Sequence, residues 1–199
     1  MSAAMAWGAG LRLYLVVFVV GLLGKFGYVP VPEALKLLTN PLVIGAAGFM
    51  SFIEFFADKI PWLDSVWDAI HTFLRIPAGA ALAAGMLGDS GEGMALAAAI
   101  IGGTLTAGTH FGKAGTRAAA NTSPEPFTNI GLSLAEESMV AGGLALAIAN
   151  PLLFLFALLL FIVVLVFLIR FILKGLAAII RRLTAAGTPQ PPARGSSAI

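Results

Sequence analysis

The sequence predicts an all-α integral membrane protein with about six transmembrane helices. The 199 residues are 59% hydrophobic and only 11% charged, whereas an ordinary soluble domain is about 25% charged. The 23 glycines and many alanines are typical of membrane helices whose backbones pack closely. The third observation is one long segment without polar side chains, near the C-terminus.

This apolar segment begins at Asn150-Pro151 and reads PLLFLFALLLFIVVLVFLIRFILK. Residues 152–169 carry no polar side chain, and about 20 apolar residues are enough to cross the hydrocarbon core of a bilayer. Asparagine is a good helix cap, and proline suits the first helical position because its missing N–H is not needed there. The segment is therefore predicted to be the last membrane span.

Five hydrophobic segments precede it. They are 11–28, 41–57, the short Ala/Gly-rich 76–88 after a polar helical stretch, 94–111 and 127–149. They form one membrane domain, 1–182, and the Pro- and Ser-rich tail 183–199 is predicted to be a disordered cytoplasmic tail. The N-terminus has no basic residue before its apolar run, so it is interpreted as a retained span and not a signal peptide.

The placement of Lys and Arg predicts that both termini are cytoplasmic. No acidic residue follows Glu137, whereas five basic residues do. With six spans, the loop that contains Lys113 and Arg117 also lies inside, in agreement with an even number of spans.

A shift of 82 residues brings the two halves of the chain into approximate register. SFIE at 51–54 then coincides with SLAE at 133–136, and the first three spans coincide with the last three. Repeats 11–88 and 93–174 would insert in opposite orientations, which is the inverted-repeat plan of many transporters. The alternative is that Gly- and Ala-rich helices align through composition alone.

Two carboxylates near the end of the second span form the first unusual polar feature. Glu54 and Asp58 lie one helical turn apart, and Glu54 is flanked by Phe, Met and Ile. An intramembrane carboxylate is costly unless it is paired, hydrated or protonated, and it usually faces a bundle interior or an ion path. The alternative is a structural ion pair with Lys59 or with Arg12.

A polar stripe follows these carboxylates. Its members, spaced by four, three and four residues, share one helical face: Asp64, Asp68, His71 and Arg75. The stripe either lines a water-filled cavity or belongs to an amphipathic helix at the cytoplasmic interface, with its charges in water.

A second polar region follows the fourth span. His110, Lys113 and Arg117 share a face if the fourth helix continues that far, and they either line a polar site or anchor the chain on the cytoplasmic side. Ser123-Pro124-Glu125 has the cap, proline and acid typical of a helix start.

Ser51 and Ser133 each precede a glutamate by three residues, the spacing of a capping box. If both serines cap helices, two half-helices begin within the membrane, as in transporters with broken or re-entrant helices. Alternatively, the serines hydrogen-bond back to their own helices.

Three segments are similar to a known family: GLRLY at 10–14, EFFADKIPWLDSVWDAIHTFLRIPAGA at 54–80 and THFGKAGTRAAANTSPEPFTNIGLSLAEE at 109–137. They resemble an uncharacterised family of bacterial multi-pass membrane proteins, domain of unknown function 4126. The resemblance extends over nearly the whole chain except the tail. It implies a conserved fold in the inner (plasma) membrane and no established activity or functional residue.

The leading functional hypothesis is a small transporter or channel for an ion or small polar solute, and not an enzyme. Its predicted site is a set of carboxylates near the repeat interface, with nearby hydroxyl and basic groups: Glu54, Asp58, Glu136, Glu137, Ser51, Ser133, His110, Lys113 and Arg117. The basic residues would favour an anionic solute, so the charge of the solute stays open.

The alternatives are a lipid-modifying membrane enzyme and a non-catalytic scaffold or assembly factor. No H-E-x-x-H, G-x-S-x-G or P-loop motif and no cysteine is present, so no catalytic residue, cofactor or metal site is predicted, although Asp58, Asp64 and Asp68 form a weak candidate for a metal site. The net charge of +2 gives little support to nucleic-acid binding. The expected partners are the lipid bilayer and further copies of the chain, through the third and fourth segments.

Overall fold

The computed structural model describes residues 1–122 and 126–186, which form α-helices and two short 3₁₀ helices and contain no strand. The α-helices are α1 (Ser2–Lys25), α2 (Pro41–Ala57), α3 (Leu63–Gly85), α4 (Glu92–Ala120), α5 (Pro126–Ala149) and α6 (Pro151–Ala186). The 3₁₀ helices Glu33–Thr39 and Gly88–Ser90 precede α2 and α4. The all-α prediction is confirmed.

In the part of the chain that the structure describes, four helices are long and apolar enough to cross a membrane: Ser2–Lys25, Glu92–Ala120, Phe127–Ala149 and, within α6, Pro151–Gly175. The 3₁₀ helix Glu33–Thr39 and α2, bent by 66°, pass the same test together, which gives up to five spans. The polar side chains of α3 lower its hydropathy, so α3 is not among them. These helices identify a membrane protein.

The first helix begins earlier than the predicted span 11–28. Residues 4–13 of α1 are all buried at the centre of the bundle, where α1 packs against α2, α3, α4 and α5. Small side chains allow this close packing: a Cβ on Gly10 would lie 2.5 Å from the carbonyl oxygen of Thr106. An Ala- and Gly-rich segment of this kind packs well but has only moderate hydropathy. Hydropathy therefore predicts a first helix that starts later than α1 does.

The regular geometry of α1 is interrupted at Arg12, whose φ of −146° and ψ of 78° are not helical. Side chains of α4 donate to carbonyl groups near this break: the Thr109 hydroxyl to Trp7 at 3.2 Å, and the Lys113 ammonium to Leu11 at 3.2 Å. Irregular backbone at membrane depth is tolerated where protein groups satisfy it in this way.

The prediction of half-helices that begin at Ser51 and Ser133 is wrong, because both serines lie inside continuous helices, α2 and α5. A serine can precede a glutamate by three residues by chance anywhere in a helix. This spacing alone therefore does not indicate a helix start. The structure has breaks at two other places: at Arg12, which neither proline nor a capping motif marks, and between the Glu33–Thr39 helix and α2, where Asn40 and Pro41 begin the second helix.

Two helices also extend further than the apolar segments that predicted them. The third span and the polar stretch before it form one helix, α3, which continues through Pro77. The fourth span was predicted to end at residue 111, but α4 continues to Ala120. In both helices the extension carries charged side chains that are buried, and hydropathy cannot distinguish a buried charge from a charge in a loop.

At the C-terminal end, α6 extends to Ala186, so residues 183–186 are helical and do not belong to a disordered tail. Residues 187–199 and the predicted helix start Ser123-Pro124-Glu125 lie outside the described residues, and α5 begins at Pro126. The helix α6 packs on α4 and α5, and Trp7 of α1 makes edge-on ring contacts with Phe154 and Phe161 at 5.9 and 5.6 Å.

Candidate functional site: a buried ionic network

Eleven ionisable side chains from α1 to α5 and the turn after α2 form one connected set of ion pairs, the ionic network. Its members are the basic residues Arg12, Lys59, Arg75, Lys113 and Arg117 and the acidic residues Glu54, Asp58, Asp64, Asp68, Glu136 and Glu137. Lys59 and Glu137 are 17% and 22% exposed, and the other nine are buried. Six acidic against five basic groups give the network a formal charge of −1.

Lys113 of α4 lies at the centre of the network. Its Nζ atom is 2.8 Å from Asp58 Oδ2, 3.3 Å from Asp68 Oδ1, 3.6 Å from Glu136 Oε2 and 4.0 Å from Glu54 Oε1. One ammonium group therefore compensates carboxylates from α2, α3 and α5. Buried charges of this kind are tolerated only when opposite charges and hydrogen bonds surround them.

Arg75 of α3 contributes the deepest ion pairs. It donates to Glu54 Oε1 and, at 2.6 Å, to Asp68 Oδ1, and all three side chains are buried. Its Nη1 also lies 3.3 Å from His110 Nδ1. The Thr72 hydroxyl donates to a backbone carbonyl and lies 2.7 Å from His110 Nε2, so the pattern assigns the hydrogen to Nε2 and leaves Nδ1 to accept from Arg75.

Arg117 of α4 joins the end of α2 to α5. Its guanidinium makes a two-point contact with Glu136, at 3.2 and 2.9 Å, and donates to the backbone carbonyl of Asp58 at 2.6 Å. The fork of a guanidinium suits this arrangement because it fixes the carboxylate in one orientation.

Two asparagines extend the network towards the helix ends. Asn121 donates to Asp64 Oδ1 at 2.8 Å, and Asn129 donates to Asn121 Oδ1 at 3.0 Å. From Asp64 to Arg75 the network follows α3 over eleven residue-to-residue steps, or about 16.5 Å at 1.5 Å per step. This is roughly half of the ~30 Å hydrocarbon core of a bilayer.

Arg12, at the break in α1, connects the network to its most accessible members. Its Nη2 atom lies 3.0 Å from Asp58 Oδ2 and 3.3 Å from Glu137 Oε1, and it donates to Ser133 Oγ at 2.8 Å. Lys59 Nζ also donates to Ser133 Oγ, at 3.1 Å, and lies 3.7 Å from Glu137 Oε1. The serine hydroxyl thus accepts from two cationic groups and donates to Glu137.

The stripe Asp64–Arg75 faces inward, so its interpretation as an interfacial helix with solvated charges is wrong. Its members are buried, whereas the apolar Val66, Ile70 and Phe73 are 55, 60 and 82% exposed. In a lipid environment the polar face of a helix turns towards the protein and the apolar face turns outward.

The structure places the remaining predicted residues as follows. His110, Lys113 and Arg117 are buried on one face of α4, so a role in surface anchoring is excluded. Glu54 pairs with Arg75, and not with the expected Lys59 or Arg12.

His71 and Ser51 lie beside the network. The ring of His71 stacks on Trp67 at 4.1 Å, and its Nδ1 atom contacts the Trp67 carbonyl at 2.8 Å. Ser51 lines a cavity next to Arg12. Neither side chain makes an ion pair or hydrogen bond with the network residues among the described contacts.

Four residues of the network and its extension are not predicted as site residues from the sequence: Arg12, Lys59, Asn121 and Asn129. Arg12 has a visible signal, because it is the single charged side chain in residues 1–24. The two asparagines have a weaker signal, because both lie in a polar segment that the sequence predicts to be a loop followed by a helix start.

A polar crevice of about 230 Å³ opens between α1, α2 and α5. It is lined by Arg12, Leu15, Ser51, Phe55, Glu137 and Ala141. Two larger cavities, of about 500 Å³ each, are lined almost entirely by apolar side chains. The polar crevice therefore connects the ionic network with the outside of the bundle.

Within the described residues, no group of three or more His, Asp or Glu side chains is arranged to hold a metal ion. The three aspartates considered for a metal site instead contact basic side chains. Asp58 contacts Arg12 and Lys113, Asp64 contacts Arg117, and Asp68 contacts Arg75.

The model of one protein family, described as Domain of unknown function (DUF4126), matches residues 1–171. The match includes all three segments that carried the resemblance and confirms it. No curated protein and no solved structure matches the chain.

Proposed function

The chain belongs to the family described as a domain of unknown function (DUF4126), and we propose that it is a small membrane transporter or channel for an ion or small polar solute, and not an enzyme. The observation that carries the proposal is the excess of one carboxylate in a buried, connected network that reaches about halfway along α3. Its transport site consists of Glu54, Asp58, Glu136 and Glu137.

A purely structural network has no use for an unbalanced charge, because an uncompensated charge in a low-dielectric interior costs several kcal/mol. The excess negative charge is neutralised by a proton or another cation that enters from water. Carboxylate oxygens without a hydrogen-bond partner are available for this cation: Glu54 Oε2, Asp58 Oδ1, Asp64 Oδ2 and Asp68 Oδ2. Buried polar atoms are usually satisfied, so four such oxygens in one connected network favour a functional role.

The packing beyond the network supports a path that is closed on one side. There, α1, α3 and α4 meet through Gly10, Gly79 and Thr106, and a Cβ on Gly79 would lie 2.6 Å from the Cγ2 atom of Thr106. A solute that enters through the network is stopped at this contact, and its release requires the network end of the helices to move relative to the contact. The break in α1 at Arg12, a network residue two positions after Gly10, is a suitable hinge.

The proposed topology has six spans, with α3 counted as a span whose charged face is covered by protein. Both termini are cytoplasmic in the plasma membrane, which places the turns before α3 and before α5, and with them the open end of the network, on the cytoplasmic side. The two halves form an inverted repeat, in which Glu54 and Glu136 correspond and both lie close to Lys113. The protein assembles as a homo-oligomer.

Single cysteines in this cysteine-free chain test the topology. Ser90 and Thr122 are exposed residues at opposite ends of α4. Ser90→Cys is expected to react with a membrane-impermeant maleimide in intact cells, whereas Thr122→Cys reacts only after the membrane is permeabilised. The reverse pattern would overturn the orientation, and labelling of both in intact cells would overturn the span count.

Transport is tested with purified protein in liposomes, with proton flux under an imposed potential followed by an internal pH dye. Wild-type protein is expected to increase the flux. Glu54→Gln should remove most of this increase and Asp58→Asn part of it, while Glu33→Gln, at an exposed position, leaves it unchanged. Radiolabelled small cations and anions provide the parallel assay. A wild-type protein that moves none of these would contradict the proposal and favour a scaffold.

A further inference from the structure

The surroundings of the Lys59 side chain resemble a binding site for a free amine. Its ammonium group donates to the Phe55 carbonyl at 2.9 Å and to Ser133 Oγ at 3.1 Å, and lies 3.7 Å from Glu137 Oε1. It is also 2.9 Å from the centre of the Phe55 ring. Three acceptors for three N–H groups, with an aromatic face beside them, match a primary ammonium ion.

Lys59 differs from the other basic members of the ionic network because it is partly exposed and lies in the turn between α2 and α3. Its four-carbon stem therefore reaches the site from a turn and not from within a helix. Arg12, Arg75, Lys113 and Arg117 are buried and fixed between helices.

The polar crevice supplies the space that a ligand needs next to this ammonium position. Phe55 and Glu137 belong both to the crevice and to the surroundings of Lys59. The contacts of Glu137 with Arg12, Lys59 and Ser133 all use Oε1 and leave Oε2 free of them. Arg12 is 2% exposed, and its Nε atom has no hydrogen-bond partner.

We propose that the polar crevice binds a small solute with a primary ammonium group, and that the Lys59 side chain is a tethered occupant of the ammonium position. An arriving amine displaces Lys59 towards the cytoplasmic water and takes its contacts with Phe55, Ser133 and Glu137. Arg12 lines the same crevice, so its guanidinium lies next to any acceptor on the same solute. This inference rests on the proposed transport site and specifies the class of its solute.

The charge of the ionic network favours this exchange. With Lys59 withdrawn, six acidic groups face four basic ones, and the formal charge changes from −1 to −2. An external ammonium restores the original value, whereas an anion at the same place would increase the imbalance. The network therefore selects a cationic group even though it contains five basic residues.

Chemical rescue tests the proposal. Lys59→Ala removes four heavy atoms whose shape and charge match those of propylammonium. The variant is expected to melt at a lower temperature than wild type in detergent, and propylammonium chloride should restore most of the loss. Tetramethylammonium, which has no N–H group, and sodium should not restore it at equal concentration. Lys36→Ala, at an exposed lysine of the Glu33–Thr39 helix, is the control.

The double variant Lys59→Ala/Glu137→Gln should lose the rescue. Two results would overturn the ammonium site. One is that propylammonium rescues the double variant as well as it rescues Lys59→Ala, and the other is that tetramethylammonium rescues Lys59→Ala as well as propylammonium does.

If Lys59→Ala does not fold, Lys59→Met keeps the apolar stem. In a Ser51→Cys background, Lys59→Met should accelerate modification by a cationic methanethiosulfonate several-fold more than modification by an anionic one. Equal acceleration of both reagents would equally contradict the proposal.

These measurements do not depend on transport. Rescue without flux would refute the proposed function and leave the amine site in place. Flux without rescue would refute the amine site alone.

Discussion

The helices α1, α3 and α4 are held together in two different ways along their length. At one end lies the ionic network, and beyond it lies the small-residue contact, formed by Ala6, Gly10, Gly79, Ala83, Gly102 and Thr106. Lipid tails are as apolar as leucine, so membrane helices associate through close backbone packing or through polar groups and not through the hydrophobic effect. This chain uses both solutions on the same three helices.

The packing of the two regions depends on different properties of their side chains. The small-residue contact depends on shape alone, and it tolerates neither a larger side chain nor a shift of the helices. The ionic network depends on charge, and a proton or a cation is enough to alter its balance. A bundle that is rigid at one end and charge-dependent at the other has the asymmetry that gating requires.

Enlarging a side chain in the small-residue contact should have the largest effect. Gly10→Val places side-chain atoms where the Thr106 carbonyl lies 2.5 Å from the ideal Cβ position, and neither backbone can move away. We expect no folded, monodisperse protein in size-exclusion chromatography. Gly142→Val, on an exposed part of α5 with no atom near its Cβ position, is the control and should behave as wild type. Normal folding of Gly10→Val would show that the contact is not rigid.

Removing a base from the ionic network should cost more than removing an acid. Arg75→Gln removes the closest base from Glu54 and Asp68, leaves Lys113 at 4.0 and 3.3 Å from them, and changes the formal charge from −1 to −2, so we expect a loss of about 3–5 kcal/mol. Glu54→Gln changes the charge from −1 to 0 and keeps Asp68 on Arg75, so the loss should be clearly smaller. Melting temperatures in detergent compare them. Equal losses would indicate that local pairs, and not the charge balance, determine stability.

A smaller effect is expected at the outer end of the network. Asn121→Ala removes hydrogen bonds to Asp64 and Asn129, which should cost about 1–3 kcal/mol because these groups are buried. Thr122→Ala, at the exposed neighbouring residue, is the matched control. A melting temperature unchanged by Asn121→Ala would mean that water already reaches this end of the network.

The sequence predicted the class of fold and most of the ionic network because both depend on local patterns. Apolar length predicted α6, and helical spacing placed the residues of the stripe Asp64–Arg75 on one face of α3. Whether that face packs against protein or is exposed to water could not be predicted, because an inward and an outward polar stripe have the same periodicity. The partners in the ion pairs could not be predicted either. Glu54 pairs with Arg75, 21 residues away, because of how α2, α3 and α4 pack, and no local pattern specifies that packing.

The same limit applies to the prediction of assembly. The small residues of α3 and α4 were expected to contact a second copy, but Gly79 and Gly102 pack against Thr106 and Ala83 of the same chain. Composition shows that close helix contacts exist and does not show between which helices. The homo-oligomer therefore stays a prediction without this face to support it.

One paired measurement tests the central claim, that the ionic network is the working part of the bundle and the small-residue contact is its fixed part. Thr106→Val removes a buried hydrogen bond to Ala6 in the fixed part, and Glu54→Gln neutralises one carboxylate in the working part. Both should lower the melting temperature moderately. Liposome flux per folded molecule should be lost in Glu54→Gln and kept in Thr106→Val. Normal flux in Glu54→Gln would contradict the account.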